Sequence, residues 1–155
     1  MKKLLLTLFA SAALFTAVQA QDYKNGLGLG LDFGNGATLV GPSFKHFFTA
    51  KDAGQAEVVF GNHTTAINVF YQYHGDISGA SGLKWFVGGG PSLHFFDYAG
   101  FSNTTFALKP MAGLDFKISG APIAFAFDWR PSIFFGDSDT DFEAGRFGLG
   151  FRYTF

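Results

Sequence analysis

In several otherwise apolar segments of this sequence, every second residue is polar or glycine. Charged side chains and many of the glycines occupy these alternate positions, which would lie on one side of an extended chain. Charges removed from bulk water persist only when they are paired and hydrogen-bonded. We therefore expect a buried network of ion pairs centred on Asp128 and Arg130, with Arg146 and Arg152 on the following segment. The predicted network comprises Asp32, Glu57, Lys84, Lys109, Asp115, Lys117, Asp128, Arg130, Arg146 and Arg152. The alternative interpretation is a slightly cationic path for small anions.

A second set of oxygen-bearing side chains alternates carboxylates with hydroxyls over residues 137–141. Asp137, Asp139 and Asp141 could supply oxygen ligands to a hard cation such as Ca²⁺. However, the glycine and the distal glutamate of an EF-hand loop are not at the positions that this motif requires. A solvated hairpin tip is the preferred interpretation. These residues are therefore only a weak candidate metal site, and the sequence predicts no cofactor.

Histidines and one serine are the remaining candidates for catalysis. Nucleophilic catalysis needs a nucleophile, a base and an orienting group within hydrogen-bond reach. Ser92 and His94 share one side of a segment, but side chains two residues apart on a strand are separated by about 7 Å. His74 and His94 point to the same side of neighbouring segments but lie near opposite ends, so we expect no joint metal site. We predict no enzymatic activity and no catalytic residue.

The composition is too apolar for an ordinary soluble domain, yet it contains no second apolar helix. Of the 155 residues, 48% are hydrophobic, 19% are aromatic and only 15% are charged. Soluble domains carry about 25% charged residues. After residue 20, polar residues interrupt every apolar run before it reaches the roughly 18 residues of a membrane-spanning helix. The net charge of -1 offers no basic stripe for nucleic acid, and the absence of cysteine excludes disulfides and thiolate metal ligands.

Residues 1–20 have the pattern of a cleavable signal peptide. Two lysines precede an apolar run over residues 4–14, and residues 18–20 provide a small-residue cleavage pattern. We therefore predict that the protein is exported and cleaved after Ala20. The remaining residues, 21–155, have the length of one domain.

The exported part of the sequence alternates with a period of two. In the first segment, Leu27, Leu29 and Leu31 project to one side and the intervening glycines to the other, which is typical of a β-strand. The same pattern predicts eight strands, over residues 26–33, 37–48, 56–63, 66–74, 83–96, 106–118, 122–135 and 146–155. The register of the second strand is open, because Pro42 cannot donate to a ladder and favours a bulge or an irregular start.

The side chains on the two sides of these strands differ in size as well as in polarity. The apolar side carries more large Phe, Trp and Tyr rings than the interior of an eight-stranded barrel can hold, whereas glycines and charges fit a narrow lumen. We therefore expect a barrel with its apolar side facing outwards, towards lipid. Strands of roughly ten residues match the roughly 9 to 11 residues that a tilted strand needs to cross the hydrocarbon core of a membrane. In hydrocarbon the barrel must be closed, because an open sheet edge would leave backbone amides unsatisfied. The alternative is a soluble, secreted barrel that buries the Phe-rich side around an apolar ligand, as a lipocalin does.

The last predicted strand has an apolar or aromatic residue at every second position: Phe147, Leu149, Phe151, Tyr153 and Phe155. This pattern resembles the C-terminal signal of bacterial outer-membrane barrels. The exported chain is similar to small eight-stranded barrels of the OmpA/OmpX type. Three short segments, 71–74, 85–90 and 128–132, look like motifs of a family of small outer-membrane β-barrel proteins, most of which have no assigned activity.

The resemblance implies an all-β, eight-stranded antiparallel transmembrane β-barrel with an up-and-down meander, located in the cell outer membrane. Its implied partners are outer-membrane lipid and the barrel-assembly machinery, and the expected state is a monomer. Tyr73 and Trp85, with Tyr153 and Phe155, would lie at the membrane interface. The sequence identifies no external ligand. We predict a non-enzymatic protein with a structural or surface-interaction role and a lumen plugged by polar and charged side chains.

Overall fold

A computed structural model describes residues 23–136 and 140–155, so the predicted signal peptide lies outside the described residues. The regular elements in these ranges are β1 (Asn25–Gly34), β2 (Ala37–Phe47), β3 (Asp52–Gly61), β4 (Thr64–Asp76), β5 (Leu83–Tyr98), β6 (Phe101–Lys117), β7 (Ile123–Trp129), β8 (Ser132–Phe135), β9 (Thr140–Glu143) and β10 (Arg146–Thr154). Nowhere in this part of the chain does a helix have the length and apolarity needed to cross a membrane.

The strands form a closed, antiparallel, eight-stranded barrel in which neighbours in sequence are neighbours in the sheet. The hydrogen-bonded order runs from β5 back to β1, continues through β10 and β7 to β6, and closes where β6 pairs with β5. The β7 and β8 strands occupy the seventh position of the barrel, while β9 and β10 occupy the eighth. Closure joins β1 to β10, where Leu29 lies opposite Phe151. The predictions of an all-β fold and an eight-stranded meander are therefore confirmed.

The predicted seventh strand, residues 122–135, is interrupted at Arg130 and Pro131. Both β7 and β8 keep the same register on β6, which places Pro131 opposite Pro110. Neither proline has an amide hydrogen to donate, so the ladder cannot be continuous there. The sequence pattern missed the break because alternation of apolar and polar residues continues across it.

A bulge follows on the other edge of this strand. The amide of Arg130 donates to the carbonyl of Arg146 at 3.0 Å, yet Ser132 pairs with Glu143. Two residues, 144 and 145, therefore stand opposite a single proline, which is the geometry of a β-bulge. The indole of Trp129 donates to the carbonyl oxygen of Ala144 at 2.6 Å.

The second strand is regular, although its sequence suggested a bulge. Pairing of β2 with β1 keeps one register through Pro42. The outward side of β2 carries Pro42 and Phe44, while Ser43 and Lys45 are buried inside the barrel. A proline is accommodated because only its own ladder hydrogen bond is lost.

The two ends of the barrel differ in their turns. At the end that contains the start of β1 and the finish of β10, which we call the N/C end, the turns are residues 48–51, 77–82 and 118–122. At the other end, β1–β2 and β3–β4 turn tightly at residues 35–36 and 62–63. Asn35 and His63 adopt the left-handed conformation that such turns need.

The remaining strands extend past these tight turns. One predicted strand ended at residue 96 and the next began at residue 106, but β5 and β6 continue through the residues between them and turn only at residues 99–100. Together with β8 and β9, they form a four-stranded extension on one side. We call this extension, residues 96–107, 132–135 and 140–143, the flap. Ala107 and Ser132 at its base are buried, but the rest of the flap is more exposed because β4 begins opposite Phe96 and β1 ends opposite Arg146.

The barrel closes tightly because glycines remove side chains where neighbouring backbones approach. A Cβ atom on Gly90 would overlap the carbonyl oxygen of Val69, and one on Gly113 would overlap that of Phe127. Glycine inside a strand is otherwise unfavourable, and it often marks such close approaches. The glycine-rich side of the strands faces inwards, as the alternation predicted, since the following glycines are buried within the barrel: Gly30, Gly41, Gly148 and Gly150.

Candidate functional site

The barrel interior is the candidate site, because it collects nearly all of the predicted chemistry. Nine charged side chains there are 5% exposed or less: Asp32, Lys45, Glu57, Lys109, Asp115, Asp128, Arg130, Arg146 and Arg152. Five are cations and four are carboxylates. All except Lys45 belong to the network predicted from the sequence.

The central group is built around Arg130. Its Nε and Nη2 donate to both carboxylate oxygens of Asp128, at 2.6 and 2.7 Å, and its Nη1 donates to Glu57 at 2.9 Å. The Nε2 amide of Gln55 donates to the other oxygen of Glu57 at 2.5 Å. Bidentate, charge-assisted hydrogen bonds are among the strongest in proteins. One guanidinium thus bridges two carboxylates from different walls of the barrel.

A second group lies towards the flap and is organised by Asp32. The carboxylate accepts hydrogen bonds from Lys109 at 2.7 Å and from Arg146, whose Nη2 approaches to 2.6 Å. The Nη1 of Arg146 donates to the carbonyl of Gly34 at 2.9 Å. Here a single carboxylate therefore serves two cations.

The third group lies near the N/C end, where Lys45 and Asp115 form an ion pair of 2.5 Å. The Nζ of Lys45 also lies 2.9 Å from Nε2 of His74 and about equally far from the rings of Phe47 and Phe86, at 5.1 and 5.0 Å. Cation–π contact of this kind stabilises a desolvated ammonium. The network thus ends, on this side of the barrel, at Lys45 packed between the rings of Phe47 and Phe86.

Tyr23, which precedes β1, closes this third group. Its hydroxyl donates to Asp115 at 2.9 Å, and its ring meets that of Phe47 edge-on, with centroids 5.1 Å apart. Burial, followed by the neighbouring Asp115 carboxylate, raises the pKa of the Tyr23 hydroxyl well above its ordinary value. The phenol therefore stays protonated and remains a donor at neutral pH.

Arg152 differs from the other buried cations. Its Nη2 donates to Oε1 of Gln55 at 2.8 Å, but Nε and Nη1 have no hydrogen-bond partner, and no described carboxylate lies within ion-pair distance. The side chain is nevertheless only 1% exposed. An unsatisfied buried donor normally costs about 1–3 kcal/mol. With five cations against four carboxylates, the nine buried charges sum to +1, and Arg152 is the one cation among them with no carboxylate partner in the described residues.

Two predicted members of the network lie elsewhere. The Nζ of Lys84 lies 3.6 Å from Asp76, whose side chain is 79% exposed. The Nζ of Lys117 donates to the carbonyls of Ile118 and Ala121, at 2.9 and 2.6 Å. Both lysines have the inward alternation, but they lie at the N/C end of the barrel, where water reaches them. Alternation identifies the side of a strand and not the depth along it.

Sequence reasoning missed Lys45, Gln55 and Gln72. Gln72 donates to Oε1 of Gln55 at 3.1 Å, so the two amides extend the central group. Lys45 was missed because the run of aromatic residues from 44 to 48 obscured the register. The available signal was its even spacing from Gly41 and Ser43, which are also buried.

The predicted aromatic residues lie on the outer side. Residues Phe147, Leu149, Phe151, Tyr153 and Phe155 are exposed or half-buried there. The rings of Tyr73 and Trp85 are 6.1 Å apart near the N/C end, and those of Tyr153 and Phe155 are 6.2 Å apart. Together they place aromatic side chains around the N/C end of the outer surface.

The remaining candidates are not assembled into a site. Ser92 donates to the side chain of Asn68 at 2.5 Å, while the ring of His94 contacts Phe134 at 5.0 Å. Asp137 and Asp139 lie outside the described residues, and Asp141 is exposed on β9. Within the described ranges, no group of three or more His, Asp or Glu side chains is arranged to hold a metal ion.

The interior stabilises buried charge, because most of its charged side chains are paired with one another. The three groups connect six of the eight barrel positions through side chains, since their charged members come from β1, β2, β3, β6, β7 and β10 together with the residue after β7. No protein-family model, curated protein or solved structure matches this chain.

Proposed function

We propose that this chain is a non-enzymatic integral β-barrel of the bacterial outer membrane, with a structural or surface-interaction role and a lumen plugged by its own side chains. The observation that carries the proposal is the distribution of polarity. Charged side chains fill the interior, while large apolar side chains cover the outside. This is the reverse of a soluble barrel.

The outer surface supports a lipid environment. Leu29, Phe127 and Phe151, on three different strands, are each between 45% and 50% exposed. Similar side chains cover the outside of every barrel position from β1 to β10. Monomeric soluble proteins rarely expose contiguous apolar patches larger than a few hundred Å². In hydrocarbon the same surface costs nothing, and a closed barrel leaves no unpaired strand edge around its girth.

The aromatic residues around the N/C end fit the same environment. Trp and Tyr concentrate where a membrane meets water, because their rings are apolar and their tips polar. Tyr73, Trp85 and Tyr153 provide such a belt. The exposed aromatic pattern of β10 supports recognition by the barrel-assembly machinery. The signal peptide predicted from the sequence supplies the export step, and outer-membrane lipid is the implied partner.

Three groups of ion pairs support the plugged lumen over an anion-conducting pore. Eight strands enclose only enough room for side chains, and here that room contains nine buried charges and their amide partners. The lipocalin-like alternative requires an apolar cavity, whereas the interior is mostly polar. In planar bilayers we expect no discrete conductance from the wild-type protein. Discrete conductance steps from the wild-type protein would contradict the plug.

Fractionation tests the membrane assignment. The protein should remain with membranes after carbonate washing and require detergent for extraction. Unboiled samples should migrate differently from boiled samples on gels, because the hydrogen-bonded barrel resists denaturation by detergent. Release into aqueous buffer with no heat-dependent change in migration would overturn the proposal.

A further inference from the structure

The inner faces of β5 and β6 continue from the lumen onto the flap. Cross-strand partners share a face, so Tyr98 and Phe101, which pair with each other, lie on the side that also carries His94. His94 is 4% exposed, whereas Tyr98 is 65% and Phe101 is 82% exposed. The same face thus passes from barrel interior to solvent within a few residues.

Aromatic rings lie at both the exposed end and the buried end of this face. The ring of His94 stacks on that of Phe96, with centroids 6.1 Å apart, and meets the ring of Phe134 of β8, with centroids 5.0 Å apart. His63, in the β3–β4 turn, meets Tyr98 edge-on at 4.9 Å. The Nε2 atom of His94 is buried without a hydrogen-bond partner. The inner face of the flap is therefore rich in aromatic rings, with an unsatisfied imidazole nitrogen at its base.

The charges of the flap have one sign. Asp141 pairs with Phe134 across β8 and β9, and Glu143 pairs with Ser132, so both carboxylates share the aromatic face. Asp97 adds a third carboxylate on the outer face. The sequence contains no Lys or Arg between residues 85 and 108 or between residues 132 and 145. Among residues 23–136 and 140–155, the lysines outside the buried network lie at the N/C end instead.

We propose that the inner face of the flap binds a cationic peptide segment, one in which lysine or arginine alternates with apolar residues. An extended segment would place one cation over Tyr98 and Phe101 and another, about six residues further along, close to Asp141 and Glu143, because the register sets Asp141 level with Ala107 and not with Phe101. Aromatic faces and carboxylates both attract cations. The apolar residues would cover the exposed rings. The inference specifies the surface-interaction role proposed above, but it does not depend on the membrane assignment.

Two double variants test the inference with purified protein in a zwitterionic detergent. The probe is a fluorescent peptide that alternates lysine and tyrosine, and binding is measured by fluorescence anisotropy. We expect Tyr98→Ser with Phe101→Ser to weaken binding by about 10-fold or more. Asp141→Asn with Glu143→Gln should weaken it several-fold. Raising the salt from about 50 mM to about 300 mM should also weaken binding of the wild type.

Matched controls separate the flap from the rest of the surface. Asp52→Asn with Asp76→Asn removes the same charge at the N/C end, and Phe142→Ser removes an exposed ring from the outer face of β9. Both should bind the peptide as the wild type does. Absence of binding, equal binding of a glutamate–tyrosine peptide, or equal losses in the controls would overturn the inference. Fractionation would still assess the membrane assignment independently.

Discussion

The lumen and the flap are two regions of the same sheet face with opposite chemistry. Below the tight turns, the inner faces of β5 and β6 carry Ser92 and Lys109, both buried and engaged with other side chains. Above them, the same faces carry Tyr98 and Phe101, which are exposed. The difference arises because the opposite wall of the barrel ends at residues 35–36 and 62–63.

An inward-facing residue needs a partner within the chain only where the opposite wall of the barrel covers it. In the lumen, a charge must find a counter-charge, because no water replaces it. On the flap, neither rings nor carboxylates need a partner within the chain. Substitutions in the lumen should therefore change stability, while substitutions on the flap should change only what the surface contacts.

The largest effect is expected for Arg130→Ala. The substitution leaves Glu57 and Asp128 buried without their shared cation, and breaking such a pair costs about 3–5 kcal/mol. The free energy of unfolding can be measured in urea by the fluorescence of Trp85 and Trp129. Lys24→Ala, at an exposed residue beside the start of β1, is the control and should change the free energy of unfolding by less than about 0.5 kcal/mol. Similar losses in both variants would contradict the assignment of Arg130 to the centre.

A smaller loss, about 1–3 kcal/mol, is expected for Gly90→Ala, because the added methyl would overlap the backbone of β4. Gly150→Ala is the matched control on the same inner side. Its methyl would meet the guanidinium of Arg152 at 2.8 Å, and the end of a long side chain can shift. Urea unfolding should rank Gly90→Ala below Gly150→Ala in stability. The reverse order would show that backbone approach does not limit this barrel.

Arg152→Met should change the free energy of unfolding by less than about 1 kcal/mol, in either direction. The substitution removes two unsatisfied donors and fills the space with an apolar chain, which is often neutral or stabilising. Arg130→Met should instead be destabilising, because two carboxylates lose their cation. Equal losses for these two variants in the same urea titration would indicate that Arg152 is paired as closely as Arg130.

The smallest effect is expected on the flap. Phe101→Ala should alter the free energy of unfolding by no more than about 0.5 kcal/mol, since the ring is 82% exposed. Phe86→Ala applies the same change to a ring that is 1% exposed and should cost about 3–5 kcal/mol. A large loss from Phe101→Ala would mean that the flap contributes to barrel stability, and the contrast between the two regions would disappear.

Period-two alternation predicted the inward and outward sides correctly at most positions, because side-chain direction on a strand is a local property. Leu29 and Glu57 illustrate this, since each lies on the expected side. The depth of a residue along the barrel is not local, which is why Lys84 and Lys117 were assigned to the buried network. The break at Pro131 depends on its position opposite Pro110, and a single segment does not contain that information.

Closure between β1 and β10 has a consequence for the order of events during folding. Gly26 pairs with Thr154, so the seam joins residues from nearly opposite ends of the described chain. Contacts between residues so distant in sequence form late, because the entropy of closing the loop must be overcome first. Until then, both edge strands expose unpaired amides that can pair with other chains. Protection from such pairing must therefore last until β10 has been delivered to β1.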